Sequence, residues 1–331
     1  MAPRRISYLL AGAAAGQFVA LACTPPPAQA QSYPAKPVRI VVSWPPGGSN
    51  DVVARVVALR LTDSLGQQFI VENRAGATGT IGSDLVAKSP PDGYTMLVNS
   101  ATHVANAHVY KKLPYDTMRD FTGVMPLATQ VGMLVVHPSL PVKSVKDLIA
   151  LAKAQPGHIA YASTGTGSYT HLTMALLLQM TGTKMLEVNY KGGGPAVIGL
   201  ASGETQVFFV GIGSVDAALK AGRLRALGVA SAKRLKAFPD IPTVSEAGVP
   251  GYEMTAWIGS FVPSATPRAV VERLNAEITK AVEHPDVVRI LGAQALDPMI
   301  MTVDEFAARL KKDYDRYEKL IKATGAKADA G

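Results

Sequence analysis

The chain has 331 residues, with 33 Lys and Arg against 25 Asp and Glu for a formal net charge of +8, and a single cysteine, Cys23. One cysteine excludes a disulfide framework, so stability must come from packing. The basic residues are scattered (Lys111-Lys112, Arg223, Arg225, Lys233-Arg234, Lys311-Lys312) and not interleaved with aromatics, which argues for solvated faces and against a nucleic-acid surface.

In chain order, Arg4 and Arg5 precede an apolar stretch over residues 6–22 and the small-residue site Ala28-Gln29-Ala30. This predicts a secretory signal peptide cleaved after Ala30 and a mature protein in the periplasm. Gly12, Gly16, Gln17 and the cluster Pro25-Pro26-Pro27 argue against a retained anchor. Arg4-Arg5 leaves general secretion and twin-arginine export both open, and Leu21 sits one place too late for Cys23 to match an acylation site well. Loss of the two arginines leaves about +6, a mild long-range attraction for anions. No later apolar segment approaches the roughly 18 residues that span a bilayer. About 300 remaining residues exceed what one core serves, so two lobes are expected.

Apolar runs rich in β-branched residues then alternate with segments of helical period, the pattern of an α/β protein with mainly parallel sheets. Residues 38–42 read as a buried strand. Ser49 or Asn50 is the expected cap of a helix whose ridge is Val53, Val56, Val57 and Leu61, stopped by Gly66. Residues 69–72 supply the next strand. The pattern restarts with a strand at 159–163, a turn at 164–168 and a helix at 172–180 stopped by Gly182. Two such openings predict two similar lobes, crossed near 131–136 and again near 256–261. The expected organisation is a leader over 1–30, a first lobe over 31–130 completed by 256–331, and a second lobe over 131–255. A helix follows Pro267, and Thr302-Val303-Asp304-Glu305 is a capping box for the last one.

Chemistry concentrates in loops between strands and helices. In Trp44-Pro45-Pro46-Gly47-Gly48-Ser49-Asn50-Asp51, glycines allow close approach to the backbone and the helix start presents free amides, so an anion can be held without Lys or Arg. An ordinary strand-to-helix turn explains the same spacing equally well. Ser163-Thr164-Gly165-Thr166-Gly167-Ser168 repeats the logic with more hydroxyls. It is no dinucleotide fingerprint, since Thr170 stands where a third glycine belongs, and no Walker loop. Residues 76–82 and Lys191-Gly192-Gly193-Gly194-Pro195 are further glycine loops, in which Thr78 offers a hydroxyl and Lys191 reads best as a solvent-facing cation.

Enzyme signatures are missing: there is no G-x-S-x-G elbow and no H-E-x-x-H helix. His103 and His108 are five apart, a poor fit to one helix face, and read as surface or cleft-lining residues; no metal or cofactor is expected. His171 lies inside the helix after the second loop with no acid at a recognisable spacing, a weak base for Ser168 in a hydrolase.

Taken together, Tyr33-Pro34-x-Lys36-Pro37-Val38-Arg39, Pro45-Pro46-Gly47-Gly48-x-x-Asp51, Val71-Glu72-Asn73-Arg74-x-Gly76, Pro91-Asp92-Gly93-Tyr94-Thr95, Pro114-Tyr115-Asp116-x-x-x-Asp120-Phe121, Tyr190-Lys191-Gly192 and Pro242-Thr243-Val244-x-Glu246-x-Gly248 resemble the substrate-binding proteins of tripartite tricarboxylate transporters, the Bordetella uptake gene receptors. The resemblance covers nearly the whole mature chain. It implies an α/β, two-lobed periplasmic-binding-protein fold of the type II class, a ligand between the lobes, and no enzymatic activity. It further implies a monomer that delivers a small carboxylate to membrane permease subunits, with an extracytoplasmic sensor for a two-component system as the alternative. Carried over, it marks Trp44, Pro45, Gly47, Gly48, Asn50, Asp51, Thr78, Asn99, Ser100 and Ala101 as first-lobe contacts, faced by Thr164, Gly165, Ser168 and His171. Trp44 replaces the family's common phenylalanine and adds an indole donor. Gly211-Ile212-Gly213-Ser214 lacks an acid or amide often found there, which favours dicarboxylates or aromatic acids over amino acids.

Overall fold

A computed structural model describes residues 33–328; the expected signal peptide, the expected cleavage point after Ala30 and Cys23 lie outside the described residues. The buried strand β1 (Val38–Val42) leads into α1 (Ser49–Leu65), which Gly66 ends in the left-handed conformation with its N–H on the Thr62 carbonyl. The cap is neither Ser49 nor Asn50: Gly48 holds that position in extended conformation with no side-chain bond. The hydroxyl and amide one and two places later are thereby left outside the capping interaction. β2 (Phe69–Asn73), α2 (Thr80–Ala87), β3 (Thr95–Ser100) and α3 (Thr102–Val109) complete this first run.

β4 (Phe121–Val136) is a 16-residue strand. After it come α4 (Val145–Ala154), β5 (Ala160–Ser163), α5 (Tyr169–Thr181), β6 (Leu186–Asn189), α6 (Gly193–Ser202), β7 (Val207–Gly211), α7 (Asp216–Lys220) and β8 (Arg225–Val229). The chain closes with β9 (Thr255–Pro263), α8 (Arg268–Glu283), α9 (Pro285–Ala293) and α10 (Val303–Thr324). The expected capping box opens α10, each partner satisfying an amide at the helix start, a device that contributes about 1 kcal/mol.

The strands form one path, β2-β1-β3-β9-β4-β7-β5-β6, with β8 also on β4. β1 pairs parallel to β2 and β3, and β5 parallel to β6 and β7, while β9 runs antiparallel between β3 and β4. Along β4 the partner changes: residues 121–131 bond to β9, and residues 132–136 bond to β7 and β8. The sheet therefore has two halves that share one strand, and these are the two lobes. Tyr169 fastens the point of change. Its hydroxyl accepts the Gly132 N–H at 2.7 Å and donates to the Met254 carbonyl at 2.8 Å, one residue before β9.

The largest apolar core runs through both halves, from Leu97 and Val104 through Leu134 and Phe209 to Phe306 and Tyr317 of α10. Trp257 is fully buried there, its indole N–H donating to Asp313 of α10 at 2.8 Å. His103 lies in the same region, 1% exposed and enclosed by Tyr115, Phe121 and Phe261. It lines no cavity between the lobes, only bordering a small separate one beside Thr117, Met118 and Leu310, and burial pushes its imidazole down to about 3. His108 packs edge-on against Tyr314 at 4.2 Å. Among the described residues no helix is long and apolar enough to cross a membrane.

Candidate functional site

The turn between β1 and α1 is held from behind. Gly47 has φ +82°, a conformation that favours glycine, and its N–H donates to the Asp51 carboxylate at 2.9 Å. That carboxylate, 4% exposed, also receives Arg55 at 2.9 Å and Asn73 at 2.8 Å. Burial pushes the Asp51 carboxyl up, but Arg55, the Gly47 amide and Asn73 outweigh it and hold the group below the ordinary carboxylate range. Gly48 differs from its neighbour. Its φ of −80° suits any residue, and an added Cβ would meet only the Pro45 carbonyl at 3.8 Å. This glycine keeps space open in front of the α1 amides.

The turn before α5 is held by neutral groups. Thr170 Oγ1 takes the Thr164 N–H and lies 3.0 Å from the hydroxyls of both Thr164 and Ser168. Ser168 caps α5 by accepting the His171 N–H at 3.2 Å. His171 Nδ1 accepts the Gly167 N–H at 3.2 Å, and Nε2 faces Glu187 at 3.6 Å. Burial holds this imidazole below its usual range, with Glu187 opposing. Both ring nitrogens are therefore engaged away from Ser168 Oγ, so the pair lacks the nucleophile–base contact a hydrolase needs.

Between these turns lies a cavity of about 110 Å³ lined from both lobes by Trp44, Pro45, Pro46, Gly48, Ser49, Asn50, Ser100, Thr102, Gln130, Thr164, Tyr169, Thr170, Gly193, Gly194, Pro195, Val210, Gly211 and Ser214. No Lys, Arg, His, Asp or Glu is among them. The first turns of α1, α5 and α6 converge on it instead, and each contributes about 0.3–1 kcal/mol to a nearby anion, more where water is excluded. A second cavity of about 480 Å³ adjoins it, bounded by residues 75–79, Tyr190, Lys191, Gly192 and Gly165. Trp44, Pro45 and Thr164 wall both.

The expected residues divide into two groups. Trp44, Pro45, Gly48, Asn50, Ser100 and Thr164 line the first cavity, and Thr78 and Gly165 line the second. Gly47, Asp51, Asn99, Ala101, Ser168 and His171 line neither; the bonds of Gly47, Asp51, Ser168 and His171 hold the loops. The Trp44 indole adds no donor to the cavity, because Nε1–H bonds to Asn99 Oδ1 at 2.8 Å. Thr102, Gln130, Tyr169 and Thr170 line the first cavity without having been expected. A lone glutamine next to the apolar run 131–136 was the available signal for Gln130.

The lobes meet through second-lobe glycines. A Cβ on Gly165, Gly192 or Gly211 would stand 2.9 Å from Thr78 Oγ1, 2.7 Å from Pro45 Cγ and 3.0 Å from Ser49 Oγ. Thr78 sits at φ +53°, strained for a threonine, and is secured by Asn106 on its carbonyl at 3.0 Å and Tyr110 on its hydroxyl at 3.3 Å. The cleft is thus closed, its contacts depending on the absence of side chains on one wall.

The model of the family described as tripartite tricarboxylate transporter family receptor matches residues 53–326. The chain is 41% identical over 307 residues to the UPF0065 protein in the tcbD-tcbE intergenic region of Pseudomonas sp. (strain P51), covering 92% of this chain and 91% of that one. It is 37% identical over 314 residues to BugT of Bordetella pertussis, covering 94% and 96%. The solved structure of R. palustris Rpa4515 with adipate matches with a TM-score of 0.85 at 35% identity, covering 88% of this chain and 98% of that one.

Proposed function

The chain belongs to the family of tripartite tricarboxylate transporter receptors, and from that premise we propose that it captures a small organic carboxylate in the first cavity and hands it to the membrane subunits of such a transporter. The observation that carries this reading is the cavity without charged side chains on which three helix starts converge. Helix starts that converge on a site without charged side chains attract a carboxylate and release it when the lobes part, because no buried counter-charge is left unpaired. The adipate held by the relative from R. palustris supports the ligand class.

In this reading the protein is exported to the periplasm, loses its leader after Ala30 and acts as a monomer. The first lobe comprises residues 31–130 and 256–331 and the second residues 131–255. The ligand contacts are the cavity-lining members of the two loops, and Gly47, Asp51, Ser168 and His171 keep those loops in place. The test is thermal unfolding of the mature protein against dicarboxylates, tricarboxylates, aromatic acids and amino acids. The right acid at about a hundred times its Kd stabilises by about 2.7 kcal/mol and raises Tm by several degrees. A flat response to every acid defeats the reading.

A further inference from the structure

We propose that Asn99 sets the size of acid this receptor accepts, by holding the Trp44 ring in a wall that keeps the ligand in the first cavity and out of the second. This rests on the carboxylate reading above and deepens it. Trp44, Pro45 and Thr164 line both cavities and therefore lie between them. The space beyond is the larger, about 480 Å³ against about 110 Å³. Whether a long acid can be held depends on whether this wall stands.

Each member of the wall is fixed from behind. Pro45 is seated over Gly192 of the second lobe, where a Cβ would stand 2.7 Å from its Cγ. Thr164 gives its N–H to Thr170 Oγ1 at 3.0 Å. Trp44 is held at both ends: its carbonyl accepts from Asn73 Nδ2 at 3.0 Å, and its indole N–H donates to Asn99 Oδ1 at 2.8 Å. Asn99 is itself fully buried. Its oxygen also accepts the Ser100 N–H at 2.8 Å, and its nitrogen donates to Ser83 Oγ at 3.3 Å. Two N–H donors on one atom identify it as the oxygen, so the amide cannot turn over without losing both bonds. That lock leaves the indole one bonded position. Without it the indole N–H would stand unmet against the core, a state costly enough for the ring to swing out of the wall.

Calorimetric titration of the mature protein with acids of graded size tests this: succinate, glutarate, adipate, suberate and sebacate, with benzoate and biphenyl-4-carboxylate as the aromatic pair. Wild-type affinity is expected to fall at least roughly tenfold from the best-bound small acid to the largest of its series. Asn99→Leu removes the acceptor at similar volume, and Trp44→Phe removes the donor while keeping a ring. Both should gain at least roughly tenfold for the large acids, a gain that loosened packing alone does not give. If Asn99→Leu does not fold, Trp44→Phe carries the comparison. Tryptophan emission is the second readout, since Trp257 is the only other tryptophan and is fully buried. Asn99→Leu should move the Trp44 band to longer wavelength. Equal binding of small and large acids by the wild type overturns the size limit and leaves the receptor reading standing. A limit unchanged in both variants, or an unmoved Trp44 band, overturns the assignment to Asn99. Affinity lost alike for every acid in the variants reduces Asn99 to a structural role and overturns it too, and silence of every acid towards the wild type sinks the receptor reading as well.

Discussion

The loop over residues 44–51 is tied down by an ion pair, whereas the loop over residues 163–171 is tied down by hydroxyls and a neutral imidazole. In the first, Arg55 neutralises Asp51 behind the turn, so the carboxylate stabilises the backbone without opposing an anion in front of it. In the second, Glu187 faces Nε2 of His171 at 3.6 Å, and Nδ1 must stay unprotonated to accept from Gly167. Both bring a helix start to the cavity. They differ in what disturbs them: the first loop is vulnerable to steric filling, the second to protons.

The largest expected effect tests the first loop. Gly48→Val should weaken ligand binding roughly 100-fold by filling the space before the α1 amides, while Tm of the free protein moves by no more than about 2 °C. Gly47→Val is the contrast, because φ +82° strains a β-branched residue and lowers stability by about 1–3 kcal/mol. Titration calorimetry and thermal unfolding of the two variants separate space from conformation, and equal losses of stability would break the distinction.

A smaller effect tests the second loop. The folded His171 pKa is depressed, so its contribution is full above the ordinary imidazole value of about 6.5 and erodes as pH falls below it, the unfolded chain taking up the proton first. Asp51, also depressed, contributes at every pH above the ordinary carboxylate range and loses that contribution only as pH falls through its folded value. Between pH 7.5 and 5.5, then, only the second loop should cost stability, and Tm of the free protein should fall by a few degrees. His171→Asn offers a non-titrating acceptor to the same N–H and should flatten the profile. A wild-type Tm that tracks the His171→Asn variant over that range would erase the contrast between the loops.

The smallest effect is expected at Lys191, exposed at the rim of the second cavity. Lys191→Ala should change affinity by no more than about twofold, since an exposed charge is screened. A tenfold loss would show that capture depends on a cation after all.

Much of this arrangement was legible in the chain. Gly66 and Gly182 stop the helices they were expected to stop, and Thr302 with Glu305 forms the capping box, because these signals are local and depend on few neighbours. The full length of β4 was not, since Gly123 and Pro126 interrupt its apolar run and the register slips beside both. Side-chain bonds were least legible: whether Trp44 Nε1–H points to a ligand or to Asn99 is decided across 55 positions of sequence. His103 was misplaced for a similar reason, its aromatic enclosure being assembled from Tyr115, Phe121 and Phe261.

The place of β9 between β3 and β4 bears on how the chain folds. The strand that joins β3 to β4 is the last of the described strands to leave the ribosome. Until it arrives, β3 and the front of β4 are open β edges, the kind that recruit other chains. The second lobe, drawn from continuous sequence, can form beforehand, but the pairings of β9 are long-range and therefore slow. The first lobe is begun first and closed last, and a chain cut short before Thr255 is two sticky edges in search of a partner.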